Sequence, residues 1–326
     1  MSQSIASSKP ASSTASQVVL ITGATAGIGR TTALHLAAQG YHVIATGRRV
    51  AELEALRKDA PGTLSTAVLD VTSAASIAAA VAEVDRLTDG HGVDVLVNNA
   101  GFGLAGPLTE IDDAALRRQY DTNVFGLMAV TRAFVPKMRA RGRGRIINVS
   151  SMGGKMTLPF FGAYNSTKYA VESLSDALRM ELHAFGIDVV LIEPGAIHTN
   201  FGDTAMSPVA QFQDTAYAAA LAKAEVLRKR MEATAVGPQV IARAIHKAIR
   251  RRRPAARYVA PWFGNVILGL LALTPTRVQD AAMRRLSFLT RGHLDVDAAR
   301  QAPTTAAPVA TATAARPHAG AAAAPN

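Results

Sequence analysis

Short runs of apolar and β-branched residues alternate with longer amphipathic stretches through the middle of the chain. Most of the short runs are continuously apolar, which is typical of strands in a sheet that is covered on both faces. The runs predict seven strands, at Val18–Thr22, His42–Thr46, Leu64–Leu69, Val93–Asn98, Arg145–Ser150, Ile187–Glu193 and Arg257–Ala260. The stretches between them predict helices near Ile28–Gln39, Ala51–Asp59, Ala74–Leu87, Asp113–Arg139 and Ala163–Phe185. Such alternation indicates an α/β fold, a single doubly wound domain with a seven-stranded parallel sheet.

The two ends of the chain differ from this pattern. Residues 1–16 are rich in Ser and Ala with one charge and no apolar core of a signal peptide, so we expect a disordered N-terminal tail. A transit peptide is the alternative for this segment. Residues 297–326 are mostly Ala, Pro and Thr and predict a second disordered tail. The folded domain is then expected over residues 17–290, within a chain of 326 residues.

Composition excludes several kinds of site. The chain has no Cys, so it has no disulfide, thiolate nucleophile or Cys-ligated metal. Its eight His are scattered without an HxxxH or HExxH pair, and we therefore expect no metal site. A net charge of +11 suggests an anionic partner.

A glycine-rich turn follows the first predicted strand and leads into a helix. It reads Thr22-Gly23-Ala24-Thr25-Ala26-Gly27-Ile28-Gly29. Gly23 allows a tight turn, Gly27 lets the backbone approach a phosphate, and Gly29 lets helix and strand pack closely. The helix N-terminus then faces a pyrophosphate, as in a Rossmann dinucleotide-binding domain. The spacing is GxxxGxG and not GxGxxG, and an ordinary turn is the alternative.

The end of the second strand discriminates between the two nicotinamide cofactors. An NAD site needs an acidic residue there for the ribose 2′-hydroxyl. This chain has Arg48 and Arg49, and a guanidinium binds a 2′-phosphate through charge-assisted hydrogen bonds. We therefore expect NADP(H) over NAD(H), with Arg48 as the main contact and Arg49 as a second candidate. The alternative is that these arginines are merely solvated.

The third and fourth strands also end in candidate cofactor residues. Asp70, followed by Val71, could accept from the adenine amino group, and either Asp70 or Thr72 could instead cap the next helix. The fourth strand ends in Asn98-Asn99-Ala100-Gly101, where small and amide side chains let the backbone run close to a cofactor. A buried Asn there could also link adjacent strands.

A Ser, a Tyr and a Lys follow the fifth strand at suggestive spacing. Ser151 lies at the strand tip, Tyr164 thirteen residues later, and Lys168 shares the helical face of Tyr164. A nearby ammonium should lower the pKa of Tyr164, which makes it a general acid/base. Ser151 could hydrogen-bond the substrate oxygen, and Asn123 could hold a water that relays protons to Lys168. Ser150 leaves a shift by one residue open, although the spacing favours Ser151.

These motifs together resemble the short-chain dehydrogenase/reductase family. The resemblance covers about residues 17–201 and is most similar to the branch of 17β-hydroxysteroid and retinol dehydrogenases. It implies a catalytic tetrad of Asn123, Ser151, Tyr164 and Lys168. It further implies that Asn99 lies on the cofactor side and that Thr199, after Pro194-Gly195, contacts the nicotinamide carboxamide. The family's usual assembly is a homodimer or homotetramer built on the helices that hold Asn123 and Tyr164.

The family places a variable substrate lid after Thr199, here about residues 200–235. Half of its apolar side chains are expected to line a substrate pocket and the others to pack in the core. They are Phe201, Met206, Phe212, Tyr217, Leu221, Val226 and Met231. The expected substrate is a bulky, apolar alcohol or ketone such as a steroid, a retinoid or a lipid.

A basic stretch precedes an apolar one near the C-terminus. Residues 233–279 contain eight Lys or Arg and no acid, including Arg250–Arg253, and Trp262–Leu273 is apolar and too short to span a bilayer. The favoured interpretation of Trp262–Leu273 is a buried helix packed near the substrate mouth, within a helical extension over residues 261–290. The alternative is peripheral contact with an anionic membrane. Nucleic-acid binding is not expected, since aromatic residues are not interleaved.

The sequence therefore predicts an NADP(H)-dependent oxidoreductase in the cytoplasm, with or without membrane contact. The competing functions are a peripheral lipid-metabolising protein and a nucleotide-binding protein without turnover.

Overall fold

A computed structural model of the chain describes residues 16–232, 235–290, 292 and 294. The two tails expected over residues 1–16 and 297–326 lie outside the described residues, apart from Ser16.

The sheet has seven strands, all parallel, as the sequence predicts. Their order is β3-β2-β1-β4-β5-β6-β7. They are β1 Val18–Ile21, β2 His42–Gly47, β3 Leu64–Val68, β4 Val95–Asn98, β5 Gly144–Val149, β6 Ile187–Pro194 and β7 Arg257–Ala260. The order reverses between β1 and β4, and ligands of such sheets bind in the crevice beyond the carboxyl ends of the strands at that point.

Helices cover both faces of the sheet. The described α-helices are α1 Gly27–Ala38, α2 Val50–Asp59, α3 Ala74–Leu87, α4 Asp113–Tyr120, α5 Leu127–Ala140, α6 Gly162–Leu182, α7 Phe201–Met206, α8 Ala218–Glu232, α9 Gln239–Arg250, α10 Gly264–Leu273 and α11 Thr276–Leu286. The single helix predicted over Asp113–Arg139 is interrupted, because Asp121–Gly126 forms a π-helical segment between α4 and α5. Periodicity alone does not reveal one inserted residue.

Alternate residues of each strand enter two separate cores. Val19, Val43 and Val95 pack with α1, α2 and α9 on one face of the sheet. Leu20 and Leu96 pack with α3, α5 and α6 on the other face. Because both faces are buried, the central strands β1 and β4 are apolar along almost their whole length, which explains their continuous apolar runs.

A buried polar network links the two central strands at their carboxyl ends. Asn98 and Asn148 are register partners of β4 and β5, and Asn98 Nδ2 donates to Asn148 Oδ1 at 2.9 Å. Asn98 Nδ2 also donates to Thr131 of α5, and Asn148 Nδ2 donates to Ser175 of α6. The network fixes both helices relative to the edge where the site forms, and it confirms that a buried Asn links these strands.

The C-terminal extension differs from the favoured prediction. Within α10 only Gly264 is buried, and Trp262 just before it is 75% exposed. The sequence suggested that an apolar stretch beside the substrate mouth would be packed. It is exposed in the single chain because only the first turn of α10 reaches the sheet, where Gly264 lies against Val259 and Met152.

Candidate active site

The glycine-rich turn after β1 packs tightly against the segment that follows β4. Gly23 and Gly27 have positive φ angles of 65° and 53°, which only glycine adopts without strain. A Cβ on Gly29 would clash with the Gly23 carbonyl oxygen and lie 2.6 Å from Asn99 Nδ2. A Cβ on Gly27, in contrast, would meet only Thr199, at 3.6 Å. The turn is thus closely packed at Gly29 and open at Gly27, on the side that faces Thr199. A phosphate cradle at a helix N-terminus requires such an open side.

The Asn99-Ala100-Gly101 segment holds that turn in place. Thr22 Oγ1 accepts from the backbone N–H groups of both Asn99 and Ala100, each at 2.9 Å. Asn99 Nδ2 in turn donates to the carbonyls of Thr22 and Gly23. The role of Asn99 seen here is therefore structural support of the cradle.

The two arginines after β2 are both exposed but differ in their partners. Arg49 forms an ion pair with Glu52 at 3.2 Å and donates to Thr25 Oγ1 at 3.3 Å. Arg48 lies near the carboxylate of Asp70, whose negative charge its field stabilises. Since Glu52 already neutralises Arg49, Arg48 has the more available positive charge for a 2′-phosphate.

Asp70 does not cap the helix that follows it. Asp70 Oδ1 accepts from Thr72 N at 2.9 Å and from Thr72 Oγ1 at 2.7 Å, and these bonds hold the pKa of Asp70 below its usual value. Ser73 is the residue that caps α3, by accepting from Ser76 N. The capping prediction for Asp70 or Thr72 was wrong, because the turn at 70–72 places the helix start one residue later. Both hydrogen bonds of this turn use Asp70 Oδ1, which leaves Oδ2 as the oxygen for the predicted contact with adenine.

Tyr164, Ser151 and Phe201 come together above the end of β5. The Ser151 side chain hydrogen-bonds with Tyr164, and Ser151 Oγ also accepts from Gly153 N at 3.0 Å. Ser150 is buried next to Gly154 on the other side of the strand end, so the structure pairs Ser151 with Tyr164. The ring of Phe201, the first residue of α7, lies 5.2 Å from the Tyr164 ring. The site is thereby covered by an aromatic side chain.

The electrostatics of Tyr164 differ from the expectation. Burial raises the pKa of Tyr164 to about 12, and the hydrogen bond from Ser151 offsets this only in part. Lys168 Nζ lies 5.7 Å from the centre of the Tyr164 ring. The predicted lowering of the Tyr164 pKa was wrong for the protein alone, because desolvation of the phenolate raises this pKa.

Lys168 is itself held in a buried position. Its side chain is 7% exposed, and its Nζ donates to the Val149 carbonyl at 2.8 Å. Burial lowers the pKa of Lys168 to about 8, against the opposing field of Glu172 one turn along α6. The ammonium is therefore still the main form near neutral pH.

Asn123 lies in the π-helical segment with its side chain fully engaged. Oδ1 accepts from Phe102 N at 3.1 Å, and Nδ2 donates to Phe102 O and to Thr167 Oγ1. A water relay at this position would thus depend on the backbone of the π segment, whose i→i+5 pattern displaces a carbonyl from the regular helix ladder. Gly101 lies between Asn123 and Lys168 and lets their side chains approach each other. A Cβ on Gly101 would lie 3.0 Å from Asn123 Oδ1 and 4.0 Å from Lys168 Nζ.

The remaining predicted cofactor residues surround the same crevice. Pro194 ends β6, Gly195 follows it, and the Gly195 N–H donates to the Ala260 carbonyl. Thr199 faces Gly27 across the crevice, and its hydroxyl accepts from Phe201 N at 3.3 Å. Ile28 packs on the core and Val71 lies against Gly126, so both shape the walls.

The predicted lid residues have different environments. Met206, Phe212 and Leu221 line a cavity of about 400 Å³ between α7 and α8. Tyr217 packs edge-on against Phe160. Val226 is exposed, and the side chain of Met231 lies outside the described residues.

Sequence reasoning missed a buried acidic pair behind Lys168. Glu172 and Glu193 are both almost fully buried, and each lies 3.2 Å from Arg257 Nε. Burial and the neighbouring Glu172 raise the pKa of Glu193 to about 7. The four-residue spacing of Lys168 and Glu172 indicates that Glu172 shares the helical face of Lys168. The position of Glu193 opposite Glu172, in contrast, depends on how β6 packs on α6.

The fold and this arrangement define an oxidoreductase that uses a nicotinamide dinucleotide. The sequence model of the short chain dehydrogenase family matches residues 17–209. The chain therefore belongs to the short-chain dehydrogenase/reductase family, as its resemblance implied.

Curated relatives extend over most of the chain. One is 3-ketodihydrosphingosine reductase of Bacteroides thetaiotaomicron, which is 36% identical over 74% of this chain and 86% of its own length. The NADPH-dependent 3-dehydrocapnine reductase of Ornithobacterium rhinotracheale is 32% identical over 80% of this chain and 94% of its own. Human 17-beta-hydroxysteroid dehydrogenase type 1 is 36% identical over 74% and 76%.

Solved structures share the fold. A short-chain dehydrogenase from Streptomyces avermitilis has a TM-score of 0.66 and 30% identity and covers 86% of this chain and 99% of its own. A serine dehydrogenase complexed with NADP+ has a TM-score of 0.63 and 30% identity, with 74% and 94% covered.

Proposed function

We propose that this oxidoreductase uses NADPH to reduce a ketone on a long, apolar substrate to the secondary alcohol. The observation that carries the proposal is the half-buried Tyr164, whose hydroxyl interacts with Ser151 and whose ring lies 5.2 Å from the Phe201 ring. It combines a proton donor with an apolar cover at the carboxyl edge of the sheet.

The residues around the crevice fit NADP(H). The open side of the Gly27 turn suits the pyrophosphate, Arg48 suits the 2′-phosphate, and Asp70 Oδ2 suits the adenine amino group. Thr199, which lies opposite Gly27, is proposed to hold the nicotinamide carboxamide. When bound, the reduced nicotinamide supplies the hydride that a carbonyl carbon accepts. The name of the Ornithobacterium relative states NADPH dependence, and this supports the cofactor proposal.

Tyr164 is proposed to deliver the proton to the carbonyl oxygen. With a pKa of about 12, its phenol is protonated at neutral pH and is ready to donate. Ser151 is positioned to hydrogen-bond the same oxygen and orient it. Lys168, charged near pH 7, stabilises the phenolate that remains.

The substrate proposal rests on the lid and on the relatives' names. Phe201 offers apolar surface beside the Tyr164 ring, and the lid adds the cavity lined by Met206, Phe212 and Leu221. Two relatives are named for reductions of 3-keto or 3-dehydro compounds, and 3-ketodihydrosphingosine is a long-chain lipid ketone. We therefore place a ketone lipid ahead of a steroid or a retinoid.

A homodimer or homotetramer is proposed to form on α4, α5 and α6. Tyr169 and Met180 of α6 and Phe125 of the π segment are exposed in the single chain. Exposed large apolar residues on these adjoining helices are what such an interface would cover.

A matched substrate series tests the proposal. NADPH oxidation is followed with ketones of one head group and increasing alkyl length, alongside a steroid ketone and retinal. We expect kcat/KM to rise with chain length by about threefold or more per pair of methylenes that enter apolar surroundings. A preference for short, polar ketones would contradict the substrate proposal. Equal use of NADH would contradict the cofactor proposal.

A further inference from the structure

The C-terminal helices α10 and α11 present a large apolar surface to solvent. Leu270 is 63% and Leu273 is 85% exposed, which is unusual for neighbouring leucines. The surface, here called the α10–α11 face, consists of Trp262, Phe263, Val266, Ile267, Leu270, Leu273, Val278 and Leu286. A helix that is apolar on all sides is normally covered by protein or lipid. None of the residues that the structure describes covers α10 beyond its first turn, so this face is open to a partner.

Both ends of this extension are anchored beside the catalytic loop. At its start, Gly264 packs against the sulfur of Met152, the residue after Ser151. At its end, Phe288 and Leu289 pack on the cluster of Phe160 and the lid residues. Since Met152 and Phe160 both lie between Ser151 and Tyr164 in the chain, both ends of the extension contact the segment that carries these residues.

The charge around this face is positive. Arg277, Arg284 and Arg285 of α11 are exposed, and Asp280 is the acidic residue on the same helix. Positive charge beside exposed Trp, Phe and Leu is the composition of segments that lie in the interface of an anionic bilayer.

The arginines that the sequence linked to the apolar stretch lie elsewhere. Arg250–Arg253 precede β7, at the amino edge of the parallel sheet, whereas α10 follows β7 at the carboxyl edge. Arg145, at the start of β5, donates to the carbonyls of Ala248 and Ile249, which places the end of α9 at the amino edge. One flat membrane surface therefore does not suit both groups equally.

We propose that the α10–α11 face docks on the surface of an anionic lipid bilayer, with α11 arginines on the head groups and the site entrance toward the membrane. The ten residues of α10 are about 15 Å long, half of the hydrocarbon thickness, so the helix lies in the interface. None of the described helices is long and apolar enough to cross a membrane. A second copy fits less well, because a two-fold contact brings the arginines of both copies together. The delivery of a lipid ketone from the bilayer rests on the proposed function; the docking itself does not.

Vesicle sedimentation without substrate tests the docking. The full chain is mixed with phosphatidylcholine vesicles containing about one third phosphatidylglycerol, at low ionic strength. We expect the wild type to bind, and the double variant Leu270→Glu, Leu273→Glu to bind at least tenfold more weakly. The matched control is Val50→Glu, Val68→Glu, which makes the same charge change at exposed apolar residues outside α10 and α11. Equal loss in both variants, or no binding by the wild type, would overturn the proposal.

A charge series locates the contact. Replacing Arg277, Arg284 and Arg285 by Gln should weaken binding about fivefold per arginine. Replacing Arg250–Arg253 by Gln should leave binding within about twofold, because these residues lie at the other edge of the sheet. If only the second set detaches the protein, the α10–α11 face is not the docking surface.

Two further measurements separate the alternatives. If a second copy covers the face, the wild type sediments as an oligomer that Leu270→Glu, Leu273→Glu dissociates, and vesicles do not bind; that result refutes docking. If vesicles bind but no ketone is reduced, docking stands and the proposed function fails. If both hold, the double variant should retain activity on a water-soluble ketone and lose activity on a ketone embedded in vesicles.

Discussion

Replacement of Tyr164 by Phe separates chemistry from packing at this site. The variant keeps the ring, which lies 5.2 Å from the Phe201 ring, and removes only the hydroxyl that hydrogen-bonds with Ser151. Loss of one such hydrogen bond costs about 1 kcal/mol of folding free energy. Loss of a general acid costs about 10²–10⁴-fold in rate, or about 3–5 kcal/mol in the barrier. The effect on kcat should therefore greatly exceed the effect on stability.

The assay has three readouts. NADPH oxidation with a saturating ketone gives kcat, quenching or enhancement of NADPH fluorescence gives cofactor affinity, and thermal unfolding gives Tm. We expect a loss of at least a hundredfold in kcat, an NADPH Kd within about threefold, and a Tm within a few degrees.

Tyr41→Phe is the matched control, because the Tyr41 ring packs edge-on against His246 just before β2, away from the site and from the proposed oligomer helices. It should change none of the three readouts by more than the error of measurement. A Tyr164→Phe enzyme that keeps more than one tenth of the wild-type kcat would refute the assignment of the proton donor. A fall in Tm large enough to unfold the variant at the assay temperature would show that the hydroxyl matters for folding instead.

Three further perturbations test other parts of the site. Arg48→Asp should weaken NADPH binding at least tenfold and shift the preference toward NADH. Arg49→Asp should have a smaller effect, because Glu52 already pairs with Arg49. If Arg48→Asp leaves the KM values for both cofactors unchanged, Arg48 does not bind the 2′-phosphate. Gly29→Ala places a methyl group against the turn and should raise the KM for NADPH and lower Tm, whereas Gly269→Ala, with open space around it, should keep or raise Tm. Because burial raises the pKa of Glu193 to about 7, the folded chain binds more protons than the unfolded chain between about pH 5 and 7. The free energy of unfolding therefore falls as pH rises through that window. Glu193→Gln should flatten the plot of Tm against pH, and an unchanged slope would contradict this.

The sequence by itself determined the order of the strands along the chain, the parallel sheet and the positions of the motif residues. Those features depend on local signals: the apolar runs at Val18 and Val95, the glycines at 23, 27 and 29, and the helical spacing of Tyr164 and Lys168. A parallel sheet brings the carboxyl ends of its strands to one edge, so motifs that follow strands must meet there.

Only the tertiary structure decided the environment of each group. The pKa of Tyr164 is raised because burial desolvates the phenolate, and burial cannot be read from the four-residue spacing of Tyr164 and Lys168. The exposure of α10 likewise depends on what packs against it, since an apolar run has the same sequence whether it is covered or not. The separation of Arg250–Arg253 from α10 follows from the direction of β7 within the sheet, which carries Arg253 and Gly264, eleven residues apart in sequence, to opposite edges.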